Sequence, residues 1–134
     1  MKRFLILPLL LASCAPLQSA VNTVKAAAII IQRDGPDLVI FNAGPGDLTG
    51  DPSRPGDGVS LVVDSAPGYT PDAAGLAVCP PDRKVITRFN CNIPTIPEGK
   101  SFRLSAAVGT VLDAAGSGYR AKSGVVPVPI VLLK

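Results

Sequence analysis

Apolar and polar residues alternate along this chain in short runs. Val59, Leu61 and Val63 fall on one side of an extended segment, with Ser60 and Asp64 on the other. Phe102, Leu104, Ala106 and Val108 repeat the pattern, and Ser101, Arg103 and Ser105 take the opposite face. A period of two with one apolar side is the signature of antiparallel strands covered on a single face. Seven runs read as strands: 26–32, 37–42, 58–64, 76–79, 84–91, 101–108 and 125–133. The first could instead end a helix beginning near Val21, but the three consecutive isoleucines Ile29, Ile30 and Ile31 favour a strand, because branching at Cβ suits the extended chain.

Turn residues fill the gaps. Much of the chain's 13 glycines and 14 prolines lies in stretches such as "NAGPGDLTGDPSRPGDG" and "DAAGSGYRAKSG", which read as connections. Sheets covered on one face pack in pairs, so the pattern predicts an all-β fold: an antiparallel sandwich of about seven strands. The last run, "VVPVPIVLL", carries Pro127 and Pro129 two residues apart, where both remove donors from one side. That spacing predicts an edge strand with its proline side turned outward.

Composition narrows the chemistry. The 134 residues suit one domain and include no histidine and no tryptophan. Without histidine there is no Ser-His-Asp arrangement, and no lysine stands in a Ser-x-x-Lys spacing to replace it. The reading is therefore not an enzyme, with no cofactor and no evident small-molecule substrate. Of the 13 basic residues, Lys2 and Arg3 open the chain, leaving 11 scattered against 10 acidic ones. No run of basic residues tracks a phosphate backbone, which argues against nucleic acid. Asp47, Thr49 and Asp51 stand at positions one, three and five of a calcium loop, but Pro52 and Gly58 occupy the places of its glycine and glutamate. A solvated turn over Asp47 to Asp57 is the simpler reading, and an irregular calcium site the other.

The amino-terminal end carries a different signal. Lys2 and Arg3 precede the apolar run Phe4 to Leu11 and the small residues Ala12 and Ser13. A bilayer span needs about 20 apolar residues, so this segment is too short to cross and reads as a targeting signal. Ordinary cleavage sites nearby are poor, with Pro16 after Ala15 and Gln18 before Ala20. The stretch "LASC", Leu11 to Cys14, resembles the lipobox of bacterial lipoproteins. The resemblance implies a signal at 1–13, a lipidated tether at 14–25 and a domain at 26–134. It further implies diacylglycerol on the Cys14 thiol, since stable anchoring takes more than one acyl chain. Eleven extended tether residues reach about 35–40 Å. Ala15 lacks the aspartate that retains such proteins at the inner membrane, which implies the outer membrane in a Gram-negative host.

Cysteine arithmetic follows. With Cys14 lipidated, Cys79 and Cys91 remain from three, and an exported chain would let them pair. The bridge would close a loop of about 13 residues worth ~3 kcal/mol. Two buried free thiols are the alternative, because a tight turn over Pro80 to Arg83 would not set the cysteines opposite each other.

Three pieces, "NAGPGDLTG" (Asn42 to Gly50), "VVDSAPGY" (Val62 to Tyr69) and "FNCNIPTIPEGKSFRLSAAV" (Phe89 to Val108), carry a second resemblance. Their order is similar to that of the Ig-like bacterial repeat family catalogued as domain of unknown function eleven, related to adhesion domains. The resemblance spans roughly Asp37 to Val108 and implies an immunoglobulin-like sandwich in the cell envelope, with no catalytic residues to carry over. It departs from the family in having one copy and an apparent insertion at 51–58. Two functional expectations follow: a membrane-anchored envelope module with a structural, adhesive or protein-binding role, or an accessory lipoprotein docked on a larger secretion or pilus machine.

Overall fold

A computed structural model describes residues 29–120 and 127–134. The signal, the tether and Cys14 lie outside the described residues, as do 26–28 at the start of the first expected strand. The chain is all-β, with strands β1 (Ile29–Asp34), β2 (Asp37–Phe41), β3 (Leu48–Thr49), β4 (Val59–Ser65), β5 (Thr70–Pro71), β6 (Arg88–Ile93), β7 (Ser101–Leu104), β8 (Ala106–Val108), β9 (Val111–Arg120) and β10 (Pro127–Leu132). Among the described residues, one short helix, α1 (Ala73–Val78), interrupts them.

Seven strands run in the order β6-β4-β9-β10-β1-β2-β7, with β3 joined to β9 as the eighth, while β5 and β8 pair separately. The sheet is mixed rather than purely antiparallel, and it curls into a half-barrel. Its parallel pair is β1 with β10, in register Ile29 to Ile130 and Ile31 to Leu132. Curling brings both halves onto one core. Ile31, Leu38, Ile40 and Leu104 from the β1-β2-β7 half join Leu61, Val63, Ile93 and Ile130 from the other, all fully buried. Each such side chain contributes roughly 1.5–3 kcal/mol by leaving water.

The alternation seen in the sequence holds in β4, where Val59, Leu61 and Val63 are buried and Ser60 is exposed. Besides the purely antiparallel order, the run 84–91 is strand only from Arg88, since Asp82 caps a turn over Lys84 and Val85 before it. Four further expectations fail, each for a physical reason. Residues 76–79 are not a strand: Leu76 lies in α1, whose N-cap Asp72 accepts a hydrogen bond from the Gly75 amide at 2.7 Å. A short apolar run fits helix or strand equally, and the cap decides it. The run 101–108 is two strands in two sheets, with β7 on β2 and β8 on β5. Of the glycine-rich stretch read as a connection, Asp113 to Arg120 belong to β9, which lies between β4 and β10 and also receives β3. Its glycines are there for close approach, since a Cβ on Gly116 would sit 2.0 Å from the Ser60 carbonyl oxygen.

The fourth failure concerns β10, which is an interior strand and not an edge. It pairs with β9 on one side and β1 on the other. The Leu133 amide donates to the Ile31 carbonyl at 2.8 Å, so by alternation Pro127, Pro129 and Val131 turn their backbone groups toward β1. Among the described residues, the pairing with β1 runs from Ile130 to Leu132. Pro127 and Pro129 themselves supply no amide donor on that side.

Candidate functional site

The disulfide comes first, because it shapes the surface around it. Cys79 and Cys91 are bonded, with Cα atoms 3.9 Å apart. Cys79 is the C-cap of α1 and Cys91 is an inward residue of β6. The irregular loop that pairing requires is present. After Cys79 the chain turns along the outer edge of β6, where the Asn90 amide donates to the Pro80 carbonyl at 3.0 Å and the Asp82 amide to the Arg88 carbonyl at 2.7 Å. Asp82 then caps the turn by accepting from the Lys84 and Val85 amides and from the Asn90 side chain. Those donors hold its carboxyl below the usual range, with the Lys84 amide the largest cause.

Beyond this loop, the outer face of β6, β4 and β9 carries a row of polar side chains. Cross-strand register places Asn92, Ser60 and Ser117 in one row, with Asn90, Val62 and Ala115 in the next. The first row continues onto β10, where exposed Pro129 stands opposite Ser117. The 51–58 loop rises beside this face and makes a groove of about 420 Å³, bounded by Asp51, Arg54 and Asp57 on one wall and Asn90, Asn92 and half-buried Tyr119 around it. The loop is held by two turns, Arg54 amide to Asp51 carbonyl and Asp57 amide to Arg54 carbonyl, and by the Gly58 amide donating to Asn92 Oδ1. Only glycine fits at 58, since a Cβ would fall 2.2 Å from the Ile93 carbonyl oxygen.

The three residues that match calcium-loop positions have other partners. Asp47 accepts from the Glu98 amide and Thr49 donates to the Gly50 carbonyl. Asp51 accepts from both the amide and the hydroxyl of Ser53. The Ser53 bonds hold the Asp51 carboxyl below the usual range, with Arg54 and the Tyr119 hydroxyl adding to them. The segment is a turn capped by its own donors.

A buried polar hub closes the same end of the sheet. Asn42 is fully buried and uses its whole side-chain capacity. Its Nδ2 donates to the Gly46 and Ile96 carbonyls, and its Oδ1 accepts from the Gly44 amide and from Arg120 at 2.7 Å. Glu98 accepts from the Gly46 amide. Arg120 is 3% exposed; burial pushes its guanidinium pKa down and Glu98 opposes the shift. Its Nε and Nη2 have no hydrogen-bond partner among the described residues. Sequence reasoning saw "NAGPG" as turn chemistry but not as the core of a network, since Arg120 lies 78 residues from Asn42.

At the opposite end, apolar side chains are uncovered. Val85 and Ile86 lie in the turn before β6, and Val108 and Leu112 flank the start of β9. The two turns meet at the end of β4, where the Ser65 amide donates to the Thr87 carbonyl and the Ala66 amide to the Thr110 carbonyl. Ile86 is 87% exposed. Comparison of the chain with protein-family models, with curated proteins and with solved structures returns no match in any of the three, so its own residues carry the functional argument.

Proposed function

We propose that this protein is a lipid-anchored module of the bacterial cell envelope with a structural, adhesive or protein-binding role. The observation that carries the reading is the Cys79–Cys91 disulfide. A bridge of this kind belongs to an oxidising compartment, and it leaves Cys14 as the odd cysteine inside the lipobox-like "LASC". Lipid on Cys14 tethers the domain to the membrane, and a Gram-negative host places it at the outer one. The finer fold reading is an immunoglobulin-like sandwich similar to the family named above. In its support, β1, β2 and β7 form one leaf and β10, β9, β4 and β6 the other, and both bury their apolar faces in one cluster.

Mass spectrometry of the mature chain from its native envelope tests the anchor. The expected species begins at acylated Cys14, and Cys14→Ala accumulates unprocessed. A mature chain with an unmodified Cys14 overturns the reading. The second function, an accessory lipoprotein docked on a secretion or pilus machine, is favoured by exposed Val85, Ile86, Val108 and Leu112. Crosslinking in intact cells separates the two: the second predicts one dominant neighbour captured through Ile86, the first does not.

A further inference from the structure

We infer that the groove on the outer face of β6, β4 and β9 is a binding site for a neutral oligosaccharide. Its volume of about 420 Å³ falls in the range of small-ligand sites, ~300–1,000 Å³. The lining decides the chemistry. Ser60 and Ser117 form the floor, and Asn90 and Asn92 form one wall. Asn92 spends its Oδ1 on the Gly58 amide, which turns its Nδ2 donors outward, and the Asp57 carboxylate on the opposite wall is exposed. Hydroxyls, amides and a carboxylate offer donors and acceptors side by side, which suits sugar hydroxyls that each do both.

Other ligand classes fit less well. Arg54 already faces Asp51 at 3.9 Å, so with Asp57 the groove carries a surplus of negative charge and disfavours phosphate. Among the described residues the lining is mainly polar, with no deep apolar wall to receive an acyl chain. Beyond the groove, Pro129 stands beside Ser117 and Pro127 beside Tyr119. The row from Asn92 through Ser60 and Ser117 to Pro129 crosses four strands, about 14 Å at the usual spacing. It runs from amide to hydroxyl to apolar ring. A pyranose has the matching character, with polar edges and C–H faces. The floor is built on paired strands and the loop is pinned at Gly58, so the site is formed before ligand arrives and little ordering cost opposes binding.

The inference gives the binding role a chemical form but rests on the groove alone. Cys14→Ala leaves it unchanged whether or not the anchor exists. The test is amide NMR of the full chain in detergent, titrated with chitotetraose, maltotetraose and, separately, inorganic phosphate. Saturable shifts with at least one tetrasaccharide are expected at Ser60, Asn92, Ser117 and Tyr119. Ser117→Leu fills the floor and should weaken that binding roughly tenfold or more, equivalent to about 1.4 kcal/mol. Asp57→Ala, in the exposed loop, should weaken it without disturbing the sheet, and serves if Ser117→Leu fails to fold. The inference is overturned if neither sugar binds, if the shifts map elsewhere, if both variants bind as before, or if phosphate binds in preference.

Discussion

At the middle of β6, the Cys79–Cys91 bridge ties α1 to the sheet within an apolar cluster that includes Tyr69 and Phe89, whose rings stand edge to face at 5.6 Å. Where β9 finishes, the contact between loops and sheet is polar, made by Asn42, Arg120 and Glu98. The two regions tolerate damage differently. A covalent bridge or an apolar contact can be lost with a cost set by its own size. A buried network that loses one member strands the others without partners, and desolvation then adds to the loss. The polar region must therefore keep every loop in place, whereas the apolar one loses only the contact that is broken.

The largest effect should come from Asn42→Ala, which removes four side-chain hydrogen bonds, among them the one buried Arg120 donates. We expect a loss of about 3–5 kcal/mol by denaturant titration. A loss below that of the disulfide would reverse the comparison. Replacing Cys79 and Cys91 together by alanine should cost about 3 kcal/mol, a fall in Tm on the order of 10 °C by calorimetry. Tyr69 sharpens the contrast from the other side, because its hydroxyl is buried without a partner among the described residues. Burial, with Asp37 and Asp72 nearby, pushes its pKa up from 10.0 to about 12. A raised folded pKa contributes stability that is present below the unfolded value and lost as pH climbs through the folded one. Stability should thus fall by roughly 2–3 kcal/mol between pH 10 and pH 12, and Tyr69→Phe should remove that fall.

Asp72→Ala unties the first turn of α1 and should cost about 1 kcal/mol, read by thermal melts; an equal cost in the disulfide-free background would show that cap and bridge act independently. The smallest effect belongs to the exposed Asp64–Arg88 pair at 2.7 Å. The hydrogen bond from Arg88 holds Asp64 below its usual range. Such a depressed carboxyl contributes stability above the ordinary aspartate value and loses it as pH falls through the folded one. Asp64→Asn should slightly flatten the acid limb of a stability-pH profile and leave the neutral region alone.

These contrasts also explain what the sequence made legible. β4 and β7 were readable because Leu61 and Leu104 answer a local requirement, one apolar face. Cysteine counting anticipated the bridge by arithmetic rather than geometry. β9 was not readable, since Gly116 is small for a reason supplied by the Ser60 backbone, more than fifty residues away. Pro127 and Pro129 truthfully reported missing donors, but no local pattern says that β1, a strand from the other end of the chain, pairs on that side. The groove was invisible for the same reason: Asn92, Ser60 and Ser117 become one row only through register.

The parallel pairing of β1 and β10 has a mechanical meaning. Because the two strands run the same way, the start of β1 and the end of β10 lie at opposite ends of their shared ladder. A pull between the start of β1 and the end of β10 would draw these strands along each other, straining their hydrogen bonds together in shear instead of peeling them singly. The joint that links the two halves of the sheet is then also the one that bears tension.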